Sequence, residues 1–322
     1  MTVVRSLESI VFDRNSVVTV GTFDGMHLAH QAIVRTAVDH ARKRKGRSVV
    51  VTFHPHPRQV LRTDGKAIAL LSTLEERIEV CRELGVDLLI VLEFTQAFSQ
   101  LSAREFYESI VLKRIGVSEA VEGYDHHFGH NRTGSVAALR DFGSEFDFLV
   151  HTIDALYVER DLVSSSAIRA CLTNGDVEKA GTLLGRPYPY TGTVWRGDGR
   201  GRALGYPTAN LRSREADKLA PAHGIYFVRV PMADLVRYGM TSVGVRPTFY
   251  AAGERTVEVN ILDFDGDLYD QELTIEFLER LRDEEKFGSA EELIRQMDRD
   301  KHASLLLQER YQTLSRTAAQ GR

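Results

Sequence analysis

The stretch that decides the fold is VVTVGTFDGMHLAHQAIVR, Val17 to Arg35. Val17 to Val20 is a β-branched run, which predicts a buried strand. The run breaks at Gly21, passes through a loop with Asp24 and Gly25, and enters a helix near His27. Ile33, Val34, Ala37, Val38 and Ala41 then recur at helical spacing and give that helix an apolar face. A strand, a glycine turn and a helix N-terminus gather unpaired backbone N–H groups and the positive end of the helix dipole at one point. A phosphate suits that point. His27 and His30 share one face of the first helical turn and can reach the same anion. The loop contains neither G-x-x-x-x-G-K-[ST] nor G-x-G-x-x-G, and the histidines lack the i, i+4 spacing and adjacent glutamate of a helical zinc pair. Two surface histidines at a helix start is the plain alternative.

Working outward, strands alternate with helices. Ser48–Phe53 predicts a second buried strand that runs into His54-Pro55-His56-Pro57, where two prolines end the ladder. Leu74–Leu84 reads as a helix, Asp87–Leu92 as a strand, Ser102–Ile115 as a helix, and Ala120–Val121 as the start of a strand. This alternation predicts a parallel sheet with ligand loops at the carboxyl ends of its strands. Zinc on His54 and His56 is the weaker reading of that loop, since no cysteine or carboxylate accompanies them. The basic run Arg42–Arg47 reads as a solvated helix end rather than a nucleic-acid patch. Ser164-Ser165-Ser166 opens a helix carrying Arg169, so hydroxyls and a guanidinium fork stand ready for an anion.

After Pro187-Tyr188-Pro189 the period changes. Thr191–Trp195, Ile225–Val230, Thr241–Val245, Thr256–Asp263 and Glu272–Phe277 read as short strands between Gly, Pro and Asp turns, which predicts a small antiparallel barrel. Ser289-Ala290-Glu291-Glu292 is a capping box that starts a C-terminal helix. The expected division is 1–186 and 187–322. In the second part GDGRGRALGYPTANL (197–211) is a glycine-punctuated loop in which Arg200 and Arg202 add charge, and Thr208 and Asn210 offer oxygen ligands to Mg²⁺. Val257, Val259 and Ile261 alternate, placing Glu258 and Asn260 on the opposite face.

Composition narrows the class. A chain of 322 residues defaults to two domains. A net charge of −4 gives no global attraction to nucleic acid or anionic membrane, and neither is an expected partner. The two cysteines stand in no C-x-x-C pattern, so no disulfide framework is expected. The start lacks a signal-peptide layout and no apolar run approaches a membrane span, so a cytoplasmic location is expected. Oligomeric state is left open, a homo-oligomer included.

The word G-T-F-D-G-M-H-L-A-H at 21–30 resembles the adenylyltransferase signature G-x-F-D-G-x-H-x-G-H of the bacterial bifunctional riboflavin kinase/FMN adenylyltransferase family, with Ala29 in place of the usual glycine. GYDHHFGHNRTG (123–134) resembles that family's G-x-D-F-x-F-G-x-x-R-x-G loop, with His126 for an aromatic, and SSSAIR (164–169) its S-S-T-x-I-R motif. G-Y-P-T-A-N (205–210) looks like the riboflavin kinase signature. The resemblance covers nearly the whole chain, in the family's order. It implies a Rossmann-like α/β nucleotidyltransferase domain followed by a small antiparallel β-barrel domain with a C-terminal helix. Riboflavin is then phosphorylated to FMN with Mg-ATP in the barrel, and FMN is adenylylated to FAD in the first domain. The resemblance puts Gly21, Phe23, Asp24, Ser164 and Ser165 on ATP and gives His27, His30 and Arg169 catalytic parts. His56, Pro57, Asp125, Phe128 and Arg132 fall at the flavin. In the barrel it puts Gly201 and Arg202 on ATP, Glu258 as the base for the riboflavin 5′-hydroxyl, and Arg282 and Phe287 beside the flavin. A riboflavin kinase with an inactive first domain, or a flavin- or nucleotide-binding module without catalysis, explains fewer of these motifs.

Overall fold

The computed structural model describes residues 1–61, 68–197, 201, 204–232, 235–245 and 255–320, with the side chains of 132, 245, 255 and 315–320 outside the description. By packing, the chain divides into Met1–Ser165 and Ser166–Arg322.

The first unit is built on a six-stranded sheet. Its strands are β1 (Thr2–Val4), β2 (Ser16–Val20), β3 (Arg47–His54), β4 (Leu88–Glu93), β5 (Glu119–Gly123) and, beyond two short strands β6 (His127–Phe128) and β7 (Gly134–Ser135), β8 (Leu149–Ile153). They lie in the order β1-β4-β3-β2-β5-β8, and every pairing is parallel. All five residues of β2 are buried, which is why it reads as an unbroken apolar run. Helix α1 (Leu28–Arg44) follows it and buries Gln31, Ile33, Val34, Ala37, Val38 and Ala41, the expected face with one glutamine added. The basic run ends α1, where Lys45 takes a left-handed conformation at φ 55°. Pro57 opens a short helix, α2 (Pro57–Leu61), which suits a residue whose missing N–H costs nothing at a first helical position. Helix α3 (Leu74–Glu83) starts from a Thr73–Glu76 capping box. Helix α4 (Ala103–Phe106) continues in π-helical turns over Tyr107–Ile115, a register that the apolar spacing does not announce. Helix α5 (Val136–Phe146) and a β9–β10 hairpin (Tyr157–Val158, Asp161–Leu162) complete the unit.

The second unit is a closed antiparallel barrel of β11 (Tyr188–Trp195), β12 (Ala209–Arg212), β13 (Gly224–Pro231), β14 (Val236–Val245), β15 (Arg255–Ile261) and β16 (Glu272–Arg282), in the order β11-β12-β15-β14-β13-β16. Strand β12 is the one the sequence reading leaves inside a loop, because only four residues follow a glycine-rich run. Helices α6 (Ser165–Thr173) and α7 (Val177–Leu184) precede the barrel. The α7 face of Val177, Ala180, Leu183 and Leu184 is buried, and packing therefore divides the chain upstream of the 186/187 step seen in composition. Tyr188, Tyr226 and Phe277 fill the interior. The C-terminal helix α8 (Ala290–Gln320) seats Tyr311 against Phe227, which stacks on Tyr238. Its start keeps half of the expected box: Ser289 Oγ accepts the Glu292 N–H, while the Glu292 carboxylate reaches Gly288 instead.

Candidate active sites

The turn between β2 and α1 is held in a shape few residues adopt. Phe23, Gly25 and Met26 all have positive φ, at 48°, 86° and 43°. Asp24 fastens it: the buried carboxylate accepts Leu71 N–H at 2.9 Å and Ser72 N–H at 3.0 Å, and Ser72 Oγ takes the Gly25 N–H at 2.8 Å. The Asp24 carboxylate is thus engaged with backbone and holds the loop. Ser165 Oγ donates to the Asp24 carbonyl at 2.9 Å, which brings the serine run to this turn.

His27 is the N-cap of α1. Its Nδ1 accepts the His30 N–H at 3.4 Å, which leaves Nε2 to carry the ring proton. The two imidazoles stack 3.6 Å apart, and His30 meets Phe23 edge-on at 5.3 Å. Burial, reinforced by the nearby His27, pushes the His30 pKa well below its ordinary value. His30 is therefore neutral at physiological pH, and its buried Nδ1 has no hydrogen-bond partner. Such a pair offers N–H dipoles that cost no rearrangement when charge builds on a phosphate.

Around this turn stand residues the sequence reading missed. Arg77, in the middle of α3, is buried and donates to Thr22 O at 2.8 Å, Thr52 Oγ1 at 2.9 Å and Phe53 O at 3.2 Å, tying the turn to the end of β3. A lone arginine among the buried positions Leu74, Arg77 and Cys81 is the signal that could have found it. Glu122, near the end of β5, is buried and accepts the Val20 N–H at 3.0 Å. Burial pushes its carboxyl well above the ordinary range, against that hydrogen bond.

His56 is buried, with Nδ1 accepting Arg58 N–H at 3.1 Å and its own N–H donated to Gln59 at 2.8 Å, so it caps α2 beside Pro57. Asp125 is exposed. Phe128 is buried against Tyr107 at 5.1 Å and backs the ring of His126 at 5.2 Å. Its apolar ring gains more from the core than from a half-wet loop. The Arg132 side chain lies outside the described residues, as does Arg202. Arg169 lies on α6, in the second unit by packing.

In the barrel, β12 and β15 put Asn210 directly opposite Glu258, so the two side chains share one face. Asn210 is buried and its Oδ1 has no hydrogen-bond partner. A Cβ on Gly197 would lie 2.5 Å from the Asn210 amide, so only glycine lets the loop backbone cover it. Gly201 accepts Tyr206 N–H at 2.8 Å and sits against Thr208. Asn260, expected on the Glu258 face, donates to Pro207 O at 2.7 Å and braces the Pro-Thr-Ala-Asn segment. Arg282 is clamped to Asp300, with contacts of 2.7 and 3.0 Å, and lies 5.9 Å from the Phe287 ring. Its guanidinium is engaged with Asp300 of α8.

A strained glycine turn with stacked histidines on a parallel sheet, followed in the chain by a barrel with an unpartnered amide oxygen opposite a carboxylate, fits a two-domain nucleotide-dependent transferase. The family model for FAD synthetase matches residues 9–167 and that for riboflavin kinase residues 184–306. The bifunctional riboflavin kinase/FMN adenylyltransferase of Listeria monocytogenes is 38% identical over 89% of this chain and 91% of its own. That of Bacillus subtilis is 35% identical over 90% and 92%, and that of Escherichia coli K12 33% over 88% and 90%. A solved structure from Streptococcus pneumoniae, titled a macrolide-efflux protein, matches with TM-score 0.83 and 33% identity over 94% of this chain and 98% of that one. The chain belongs to the bifunctional riboflavin kinase/FMN adenylyltransferase family, and it carries both activities joined in that name. Among the described residues no helix is long and apolar enough to cross a membrane.

Proposed function

We propose that the barrel, residues 187–322, transfers the ATP γ-phosphate to riboflavin with Glu258 as base, giving FMN and ADP, and that residues 1–186 then transfer the adenylyl group of a second ATP to the FMN phosphate, giving FAD and pyrophosphate. The observation that carries the reading is the buried, unpartnered Asn210 Oδ1 opposite Glu258. A buried acceptor without a donor is costly unless a cation or ligand completes it. Thr208 and Asn210 supply neutral oxygens of the kind Mg²⁺ takes alongside nucleotide phosphates. Mg²⁺ held there neutralises charge on the transferring phosphate. Glu258 takes the proton of the 5′-hydroxyl as its oxygen bonds to phosphorus. Gly201 and Arg202 flank the ATP phosphates, and Arg282 and Phe287 border the isoalloxazine ring.

In the second reaction the nucleophile is the FMN phosphate, already anionic, so little base work is needed. His27, His30, the α1 N-terminus and Arg169 act by positioning and by offsetting charge at the α-phosphate. Ser164 and Ser165 hold the outer phosphates against the Asp24 turn, beside Gly21 and Phe23. His56, Pro57, Asp125, Phe128 and Arg132 shape the FMN side, Phe128 from within. The enzyme works in the cytoplasm.

The test is a time course of riboflavin with excess Mg-ATP, with riboflavin, FMN and FAD separated by chromatography. FMN rising before FAD is expected. FMN accumulating without FAD, even when FMN is supplied, would sink the role given to the first domain.

A further inference from the structure

A second cluster lies at the far end of α1 from the stacked histidines, ten residues and so about 15 Å along the helix axis. Glu119 opens β5 and is buried. The register pairs Glu119 with Leu149 and Val121 with His151, which puts Glu119 and His151 on one face of the sheet. Helix α1 lowers His40 and Arg44, one turn apart, onto that face. His40 Nδ1 lies 2.6 Å from Glu119 Oε2, and His151 Nε2 lies 2.9 Å from the same oxygen. The other oxygen, Oε1, is held by Arg44 at 2.9 Å. The imidazoles meet at 4.4 Å. The three donor atoms all lie within 4.8 Å of one another.

We propose that His40, Glu119 and His151 form a binding site for one divalent transition-metal ion of the zinc class. Two imidazole nitrogens and a carboxylate oxygen are the three-ligand set that zinc takes when a fourth position stays open, and magnesium and calcium do not favour such a nitrogen-rich set. The His151 Nε2 atom is shielded from solvent yet makes no aligned hydrogen bond in spite of its nearness to Glu119. Arg44 fixes the carboxylate from behind, the supporting contact that orients a ligating group. Access exists, since the His40 and His151 side chains are 27% and 34% exposed. Ligand atoms around tetrahedral zinc stand about 3.3 Å apart, given bonds of about 2.0–2.1 Å. The contacts of 2.6 and 2.9 Å therefore open by a few tenths of an ångström as an ion enters among the three groups. Bound there, the ion pins α1 to β5 and β8. This site is independent of both flavin reactions.

The test uses the full chain without a histidine tag, stripped with a chelator and titrated with zinc against a chromophoric competitor. One equivalent should bind, and zinc should raise the melting temperature of the wild-type protein. The His40→Ala/His151→Ala double variant should bind at least about 100-fold more weakly, beyond the ~10–100-fold of a lost supporting partner. Cobalt(II) should give the visible absorption of a tetrahedral site, lost in Glu119→Gln. No stoichiometric binding by the wild-type chain would overturn the proposal, and that outcome requires no variant to fold. Equal affinity in the double variant would overturn it too, by placing zinc on other histidines.

Discussion

Asn210 and Glu258 face each other across β12 and β15, one a buried amide with an unpartnered oxygen, the other a carboxylate on the same face. On the proposed function, their opposition joins a glycine-punctuated loop and a lone strand glutamate in one site.

Glu258→Gln keeps the shape and removes the base. FMN formation from riboflavin should fall by ~10²–10⁴-fold, while FAD formation from supplied FMN is unchanged. Separate assays of the two half-reactions check this.

His30→Ala should do the reverse. It removes a buried neutral N–H dipole from the turn, so FAD formation should drop by ~100-fold or more, with riboflavin phosphorylation intact. Equal loss of both activities would refute the division of labour between the units.

His126 makes the first unit sensitive to acid. Burial, aided by the neighbouring His127, lowers its pKa to about 4 from the ordinary 6.5. Between those values the unfolded chain holds the extra proton, so stability rises with pH across the window and is lost as pH falls. The full loss is on the order of 3 kcal/mol. Glu122, whose Oε2 lies 3.4 Å from His126 Nδ1, has its carboxyl pKa pushed well up by burial, so its own contribution to stability falls as pH rises and opposes that of His126. His126→Phe removes the His126 contribution alone, so the slope of melting temperature against rising pH should become less positive than in the wild type between pH 4 and 6.5; the buried Nε2 that it deletes has no hydrogen-bond partner to lose.

Arg77→Met should strip the donors from Thr22 O, Thr52 Oγ1 and Phe53 O. With charge-assisted bonds lost from buried acceptors, about 3 kcal/mol of first-unit stability should go. Calorimetry should show the first unit melting earlier and the barrel transition unmoved. FAD formation should weaken with it.

The sequence by itself determined the local parts. β2 follows from an unbroken β-branched run and the face of α1 from a side-chain period of 3.6, which neighbours in the chain enforce. The turn at Gly21–His27 could be read because its special residues are consecutive. The tertiary structure alone decided which distant groups meet. Nothing within reach of Asn210 in the chain names Glu258; barrel closure and register do. That Phe128 packs into the core around Tyr107 is likewise visible only once the chain has folded. Arg77 and Glu122 bind backbone of segments far from them in sequence. His40, Glu119 and His151 come from a helix and two strands, and only parallel pairing with α1 laid across it brings their ligand atoms together. Periodicity is local physics; burial, charge pairing and ligand geometry belong to contacts that the chain must fold to make.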